Sequence, residues 1–481
     1  MSKDTQKPSP KTSADDREVK ASPAKAFFVW MITRDIELQD AILDLLDNCI
    51  DGIRRIGAKG GHKPYAGRYA HITFDETHFS IEDNCGGIPL DIAKTSAFRM
   101  GRPADAKDPK KGSIGVYGIG MKRAIFKMGE NCVVHSHTKG ATFEVEIDKH
   151  WLEDDNNWKL EFKTVTAKLK KHGTRITVTD LRKGIKDQLA KGSHFEKEVF
   201  PKAVQAAYSL LIEKGFEVKV NGEVIAPDLP SLLWESPGPE NKTDLKIRPY
   251  IYKAHIDGVD ISLAVGFYRP LASTSEEDSA ADRRYDSDKA GWTVVCNDRV
   301  VLSCDQTAAT GWGRAGVPKY HTQFIAIAGY VEFYSQKHPS LLPMTTTKRG
   351  VDLSSKIYDT VRERMQEGIK YFTKFTNDWK GREDKQKAMF SRAQRLSLPQ
   401  VCSIAEKHLR FSKIRGDPHQ QHVPPHLPQQ PKEITEKRIS FMRPIRQIKE
   451  VSVFLFDKRD AKLADIGAEC FDRTLKQAQK K

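Results

Sequence analysis

Residues 35–56 read DIELQDAILDLLDNCIDGIRRI, and this stretch decides the N-terminal fold. Its apolar residues recur at spacings of three and four, which is the period of an amphipathic helix. They are Leu38, Ile42, Leu45, Cys49, Ile53 and Ile56. The opposite face presents carboxylates and an amide at the same spacing, namely Asp40, Asp44, Asn48 and Asp51. Such a face is either a solvated acidic surface or a place that holds a divalent cation or an attacking water.

A second signal follows strands predicted at 69–74 and 78–82, where residues 82–89 read EDNCGGIP. The Asp83 carboxylate at a strand end can accept a hydrogen bond from an exocyclic amine. The paired glycines that follow let the backbone approach a flat ring closely. An ordinary Asn/Gly turn is the alternative interpretation.

A third signal is the glycine-rich stretch GSIGVYGIGMKR at 112–123, which runs into a helix predicted at 121–128. Glycine N–H groups, a helix start and Lys122 suit phosphate binding, whereas a flexible loop without a ligand is the alternative. The spacing is neither that of a P-loop nor that of a dinucleotide-binding fingerprint. The fourth signal is Thr174 at the start of a strand predicted at 174–180, where its hydroxyl could share a water with Asp83.

In this order the four signals resemble the GHKL ATP-binding superfamily. It includes the DNA gyrase B subunit, MutL, the heat-shock chaperone of that class, the sensor histidine kinases and the MORC ATPases. The YGIGMK sequence at 117–122 most resembles the MORC branch. Segments 292–302, 311–313 and 341–352 resemble the transducer domain of MORC-like proteins. The resemblance implies an α+β fold, in which a Bergerat-type α/β sandwich precedes a transducer-like α/β domain and a helical C-terminal region.

The resemblance also implies ATP and Mg²⁺ as ligands. Asn48 would bind the Mg²⁺ ion, and Asp83 would accept from the adenine amino group with help from Thr174 through water. Gly87 and Ile88 would lie beside the base. The residues implied in holding the phosphates are Gly115, Gly118, Gly120, Met121 and Lys122.

Two residues carry the implied chemistry. Asp44 stands where the family has the glutamate that activates water, and it is one methylene shorter. A shift of about 1 Å can cost roughly 100-fold in rate, so slow hydrolysis is expected. Lys348 matches the transducer lysine that reaches the γ-phosphate, and a solvated turn lysine is the alternative.

The sequence predicts six segments along the chain. They are a disordered tail at 1–25, the ATP-binding domain at 26–228, the transducer-like domain at 229–355, a helical region at 356–412, a Pro/His/Gln-rich linker at 413–434 and a small C-terminal module at 435–481. Within this module the pattern predicts a strand at 451–456 and a helix at about 461–478.

Charge and composition bear on partners. The 481 residues carry a formal net charge of +15, which favours polyanions such as nucleic acid. Candidate phosphate contacts are Lys107/Lys110/Lys111, Lys168/Lys170/Lys171 and Lys476/Lys480/Lys481. The alternative is surface charge that serves only solubility. No apolar run is long enough for a membrane span, and seven cysteines without CxxC spacing argue against a disulfide framework. We therefore expect a reduced, soluble, cytoplasmic protein without a membrane partner.

The functional prediction is an Mg²⁺-dependent ATPase in which ATP drives homodimerisation and clamp closure on DNA, in genome defence or maintenance. The alternative is a nucleotide-gated scaffold or chaperone-like protein that acts on protein partners with little or no turnover.

Overall fold

The amphipathic stretch predicted at 35–56 is a helix in the computed structural model, with bounds Leu38–Ile56. The structure describes residues 24–57, 60–61, 63–101, 114–115, 118–235, 247–271, 289–380, 389–429 and 439–480. The predicted tail up to residue 23, the 107–111 lysines and Lys481 lie outside these ranges. Most of the segment 98–115, which the resemblance implies is a lid that closes over the phosphates, also lies outside them. Two units divide the chain, residues 1–429 and 430–481.

An eight-stranded sheet follows this helix, in the order β5-β4-β3-β6-β2-β1-β7-β8. Its strands are β1 (Tyr69–Phe74), β2 (Phe79–Asp83), β3 (Gly129–His137), β4 (Thr142–Ile147), β5 (Phe162–Thr164), β6 (Gly173–Leu181), β7 (Glu217–Val220) and β8 (Glu223–Val224). Neighbours are antiparallel except for β1 and β7, which run parallel. An Asn221-Gly222 turn joins β7 to β8, and both residues have positive φ, as a tight hairpin requires.

Helices cover one face of this sheet. They are α1 (Lys25–Thr33), α2 (Leu38–Ile56), the short α3 (Leu90–Ile92), α4 (Gly120–Met128), α5 (Lys149–Glu153), α6 (Lys183–Leu189) and α7 (Phe200–Glu213). Ala70, Ile72 and Phe74 of β1 are buried in a core with the apolar stripe of α2, because alternate strand residues share a face. α1 begins within the tail predicted to be disordered at 1–25, since Lys25 is its first residue and is fully buried.

A second sheet has seven strands in the order β13-β12-β14-β11-β10-β17-β16. They are β10 (Tyr250–Ile256), β11 (Val259–Phe267), β12 (Gly291–Cys296), β13 (Arg299–Asp305), β14 (Ile327–Tyr334), β16 (Ser412–Ile414) and β17 (Asp417–Val423). A separate pair is formed by β9 (Leu232–Trp234) and β15 (Gln394–Leu396). α8 (Lys356–Asp378) packs on one face of the large sheet and α9 (Leu398–His408) on the other, so this part of the chain has three layers.

The prediction of a linker at 413–434 is wrong for the residues of β17, which form a strand. Val423 pairs with Ile251 and Gln420 with Ala254, so this Pro/His/Gln-rich stretch joins the sheet. The Tyr252 hydroxyl donates to the Gln420 amide oxygen at 2.9 Å, which satisfies a buried polar side chain. Pairing with β10 therefore overrides a composition that is typical of a loop.

A buried ion cluster joins the two sheets. Asp298 lies in the turn between β12 and β13 and is 1% exposed. Its carboxylate accepts from Arg54 of α2 at 3.0 Å, from the Tyr65 hydroxyl at 2.5 Å and from Lys214 beyond α7 at 2.5 Å. Lys214 also binds Glu332 of β14 at 2.9 Å. The second sheet is thus tied to both long helices of the first.

The second unit contains two helices, α10 (Ile445–Phe456) and α11 (Leu463–Ala478). The helix predicted at about 461–478 is confirmed, and the strand predicted at 451–456 is wrong. A short apolar run fits a helix and a strand equally well, so periodicity could not distinguish them. In the part of the chain that the structure describes, no helix combines the length and the apolar character needed to cross a bilayer.

Candidate functional site

The acidic face of α2 is held by cations from elsewhere in the fold. Asp44 is 6% exposed. Arg123 of α4 donates to its Oδ2 from both Nε, at 3.1 Å, and Nη2. Lys348 donates to Oδ1 at 3.0 Å. Both oxygens of the predicted catalytic base are therefore engaged.

Asp47 is a second buried carboxylate of this cluster. It accepts from Lys348 Nζ at 2.6 Å and from the Tyr208 hydroxyl at 2.6 Å, and Arg299 Nε lies 3.5 Å away. Burial opposes its ionisation, but the Lys348 and Arg299 cations together lower the pKa of Asp47. Asp47 is thus the anionic anchor of Lys348.

Lys348 lies in a tight turn between two paired residues, Met344 and Val351. Its φ is +57°, and its N–H donates to Thr345 O at 3.0 Å. The side chain is only 12% exposed, so the alternative of a solvated turn lysine does not fit. Burial opposes the charge, but Asp47 and Asp44 raise the pKa of Lys348, which therefore stays protonated.

The glycine-rich stretch meets α2 at Asp51. The Asp51 carboxylate accepts from Ile114 N at 2.6 Å and from Gly115 N at 3.2 Å. Burial raises the pKa of Asp51, and the Ile114 N–H partly opposes this shift. Gly115 is therefore fixed to α2 through its own backbone donor.

The start of α4 also touches α2. Gly118 has a φ of +66°, the left-handed region that favours glycine. A Cβ at Gly120 would lie 3.3 Å from Asp44 Cβ, so a larger residue would crowd the acid. The next residue, Met121, is buried in the core, and its side chain is not on the surface. Of these three residues, Met121 is part of the core, and the proposed role of Gly118 and Gly120 in holding phosphates stays a prediction.

Lys122 does not point into solvent. It is 3% exposed, and its Nζ donates to Ala97 O at 2.7 Å. Burial lowers the pKa of Lys122 to about 8. In this state the lysine ties α4 to the residues that precede the predicted lid.

The predicted purine-reading residues meet at the end of β2. The Asp83 carboxylate accepts from Cys85 N at 2.6 Å and also from the Thr174 backbone N–H. Burial raises the pKa of Asp83 to about 6, while these two hydrogen bonds oppose the shift. Asp83 and Thr174 are therefore neighbours through the Thr174 backbone N–H, and the predicted water shared with the Thr174 hydroxyl stays a prediction.

The loop after β2 is packed tightly on β3. Gly87 has a φ of +74°, and a Cβ there would lie 2.5 Å from His137 O. Ile88 N–H donates to Ser136 Oγ at 2.8 Å. Gly173 closes the other side, since a Cβ there would lie 1.8 Å from Asp83 O. The glycines are required by this backbone approach.

Asn48 is exposed on α2, one turn beyond Asp44. An amide oxygen is a hard ligand that suits Mg²⁺, which commonly takes one or two protein ligands and completes its shell with water and substrate phosphates. Among the described residues no group of three His, Cys, Asp or Glu side chains could enclose a metal ion. The donor set fits a Mg²⁺ ion that arrives with a nucleotide.

Four residues of the cluster were not predicted. They are Asp47, Arg123, Tyr208 and Arg299. Arg123 had a local signal, because it follows Lys122 in the first turn of α4. For the other three, the sequence offers no signal, since tertiary packing alone brings them together.

Residues 36–180 match the family model described as Histidine kinase-, DNA gyrase B-, and HSP90-like ATPase. This match supports the GHKL superfamily for that part of the chain, and with it ATP binding and hydrolysis as the general activity. No curated protein matches the chain. The mixed helix-and-sheet architecture is consistent with the α+β class.

Proposed function

We propose that this protein is an Mg²⁺-dependent ATPase of the MORC-like branch, in which ATP gates homodimerisation and clamp closure on DNA. The observation that carries the proposal is Lys348, whose Nζ contacts both Asp44 and Asp47 on α2. A lysine from a distant part of the chain thus stands at the candidate base, as the transducer lysine of the resemblance would. The family match over 36–180 supports ATP as the ligand.

The residues proposed to hold ATP come from three places around α2. Asp83 would accept from the adenine amino group, and the backbone at Gly118 and Gly120 would face the phosphates. Asn48 would bind the metal ion. Bound Mg²⁺ neutralises and orients triphosphate oxygens.

Hydrolysis is proposed as in-line attack of a water on the γ-phosphorus, with cleavage of its bond to the bridging β–γ oxygen. Asp44 accepts the proton of the attacking water. Lys348 offsets the charge on the γ-phosphate oxygens, since a compact ammonium suits this role.

Before Asp44 can act as a base, its carboxylate must be released from Arg123 and Lys348. A γ-phosphate carries more negative charge than a carboxylate and competes for Lys348. Transfer of this lysine would release Oδ1 of Asp44, would leave the Arg123 contact at Oδ2 still to be broken, and would move the turn at 345–350, which belongs to the chain that follows β14. A differential of about 5.5 kcal/mol between two states would change a 1:99 population to 99:1.

A second candidate function is a nucleotide-gated scaffold with little turnover. One observation favours it, namely that the two Asp44 oxygens are bound by Arg123 and Lys348. A short, doubly paired carboxylate is a poor base. Nucleotide binding would then change shape and partner affinity without efficient hydrolysis.

The deciding experiment measures ATP affinity, ATP hydrolysis and oligomeric mass for the wild type, Asp44→Ala and Lys348→Ala, with and without a DNA duplex. Asp187→Ala is a matched control, because this acid is exposed on α6. We expect Asp44→Ala to keep ATP binding and to lower the hydrolysis rate at least about 100-fold. Lys348→Ala should lose ATP-dependent dimerisation.

Thermal unfolding of each variant separates loss of activity from loss of folding. Normal hydrolysis by folded Asp44→Ala would show that the base assignment is wrong. ATP-dependent dimerisation with hydrolysis that DNA does not stimulate would favour the scaffold.

A further inference from the structure

An open cleft of about 360 Å³ lies beside the loop that follows β2. Its lining is basic throughout and consists of Arg68, His137, Lys170, Lys171 and His172. None of these residues belongs to the acidic face of α2 or to its cationic partners. The cleft therefore has a chemistry that the proposed ATPase reaction does not use.

The walls of the cleft are fixed by backbone contacts. Arg68 donates to Asn84 O at 2.9 Å, and His172 O accepts from Gly86 N–H at 3.1 Å. His137 Nδ1 donates to Leu169 O at 3.1 Å. Its ring meets the His172 ring edge-to-face, with centroids 4.8 Å apart. These contacts hold the Arg68 guanidinium and the His137 ring in place without a ligand.

Within the described residues, the two lysines at the rim have no anionic partner. Both are exposed, and among the described residues neither forms an ion pair. The ammonium of Lys171 lies 5.7 Å from the centre of the Tyr69 ring. Leu169, which precedes them, is buried and anchors this loop. Exposed lysine ammonium groups beside the Arg68 guanidinium attract an anion to this cleft.

We propose that this cleft binds the phosphodiester backbone of nucleic acid. Lysines act as point charges on phosphates, and an open, lysine-rimmed cleft suits an extended polyanion better than a small enclosed anion. The formal net charge of +15 favours the same partner. The inference rests on the proposed action on DNA and assigns that action to a specific surface.

The test measures binding of a short fluorescent DNA duplex by anisotropy across about 50 to 200 mM salt. The variants are Lys170→Ala/Lys171→Ala and the charge-retaining Lys170→Arg/Lys171→Arg. Lys183→Ala/Lys186→Ala on α6 is the control, because it removes the same charge from other exposed lysines. ATP affinity is measured for every variant.

We expect the alanine pair to bind the duplex more weakly and to reduce the slope of log affinity against log salt by about 1.8, at about 0.9 per lost phosphate contact. The arginine pair and the control should keep the wild-type slope. Equal loss in the control, or no loss in the alanine pair, overturns the proposal. Lysine-dependent binding to anionic phosphatidylserine vesicles without duplex binding also overturns it.

The two proposals can fail separately. If the wild type binds ATP and duplex affinity does not depend on Lys170 and Lys171, only the assignment of this cleft is contradicted. A wild type that does not bind ATP contradicts the ATPase proposal, whatever the duplex shows.

Discussion

Asp83 is an acid whose environment sets its charge near physiological pH. It lies at the end of β2, where burial disfavours the carboxylate and the N–H groups of Cys85 and Thr174 favour it. Burial has the larger effect, and the pKa of Asp83 is raised to about 6. The form that accepts a hydrogen bond from an amine therefore dominates only above that pH.

We predict that ATP affinity falls as the pH is lowered through about 6. The raised pKa of Asp83 means that its carboxylate is protonated below this value and is then a weaker acceptor for the adenine amino group. Isothermal titration calorimetry of ATP binding at about pH 5 to about pH 8 measures the effect.

Asp83→Asn is the control for this titration. Its amide cannot ionise, so the variant should bind ATP more weakly at neutral pH and should lose the part of the pH dependence that belongs to Asp83. Because the nucleotide phosphates also titrate, the difference between the two profiles is the informative quantity. Identical profiles would exclude Asp83 from the purine contact.

The roles of single residues were only partly predictable from sequence. The spacing of Asp44 along α2 indicated an acidic face, and that face is present. Arg123 and Arg299 are far from α2 in the chain, and only the fold brings them to it. Lys348 is also distant, and the resemblance alone pointed to it. Asp47 was overlooked because charge alone does not reveal burial.

At the scale of elements, the junction between β2 and β6 is the tightest part of the candidate site. β6 begins at Gly173, and its backbone passes the end of β2 so closely that a side chain has no room. The same junction carries Asp83 and Thr174. The position of Asp83, the acid proposed to contact the purine, therefore depends on a strand start that lacks a side chain.

We predict that Gly173→Ala destabilises the fold and weakens ATP binding. A Cβ would lie 1.8 Å from Asp83 O, and backbone must move to relieve this contact. Overpacking of this kind costs about 1–3 kcal/mol. Chemical denaturation and ATP titration measure the two effects.

Gly140→Ala is the matched control, because no atom lies within 4 Å of its added Cβ. It should leave stability and ATP affinity close to wild type. If Gly173→Ala behaved like Gly140→Ala, the tight junction would have no role in forming the site.

The prediction of elements succeeded where the pattern was long. α2 repeats its apolar spacing over five turns, and its bounds Leu38–Ile56 agree closely with the prediction. The short run at 451–456 forms a helix, because a run of this length carries no distinctive period. β17 was missed, because its strand state depends on pairing with β10 and not on its own composition.

At the scale of the whole molecule, Asp298 connects the two sheets. Its carboxylate is fully enclosed and is shared by Arg54, Tyr65 and Lys214. Burial opposes the charge, but Lys214 and Arg54 lower the pKa of Asp298 well below its usual range. α2 therefore carries both the candidate base, Asp44, and Arg54, which binds Asp298 of the second sheet.

We predict that Asp298→Asn lowers the free energy of unfolding by about 3–5 kcal/mol, because it removes the buried negative charge that Arg54 and Lys214 share. The two sheets should then unfold in separate transitions, which calorimetry and near-UV circular dichroism can follow. Asparagine tolerates the positive φ of this turn, so the change isolates the charge.

Asp257→Asn is the control, since Asp257 occupies an exposed turn with a similar φ of +50°. It should be neutral. Folding lowers the pKa of Asp298, so the carboxylate stabilises the fold more at high pH than at low pH. This stabilisation is fully present above the unfolded pKa of 3.8 and is lost as the pH falls through the lower folded pKa. A single transition in Asp298→Asn, at wild-type stability, would contradict this coupling.

The return of β17 to the side of β10 has a consequence during synthesis. Until residue 423 has left the ribosome, the backbone donors and acceptors along the open edge of β10 lack their native partner, β17. An open strand rim is a template for intermolecular pairing and aggregation. A chain shortened to end before Ser412, although it keeps the whole candidate ATP site, should therefore precipitate more readily than the full-length protein.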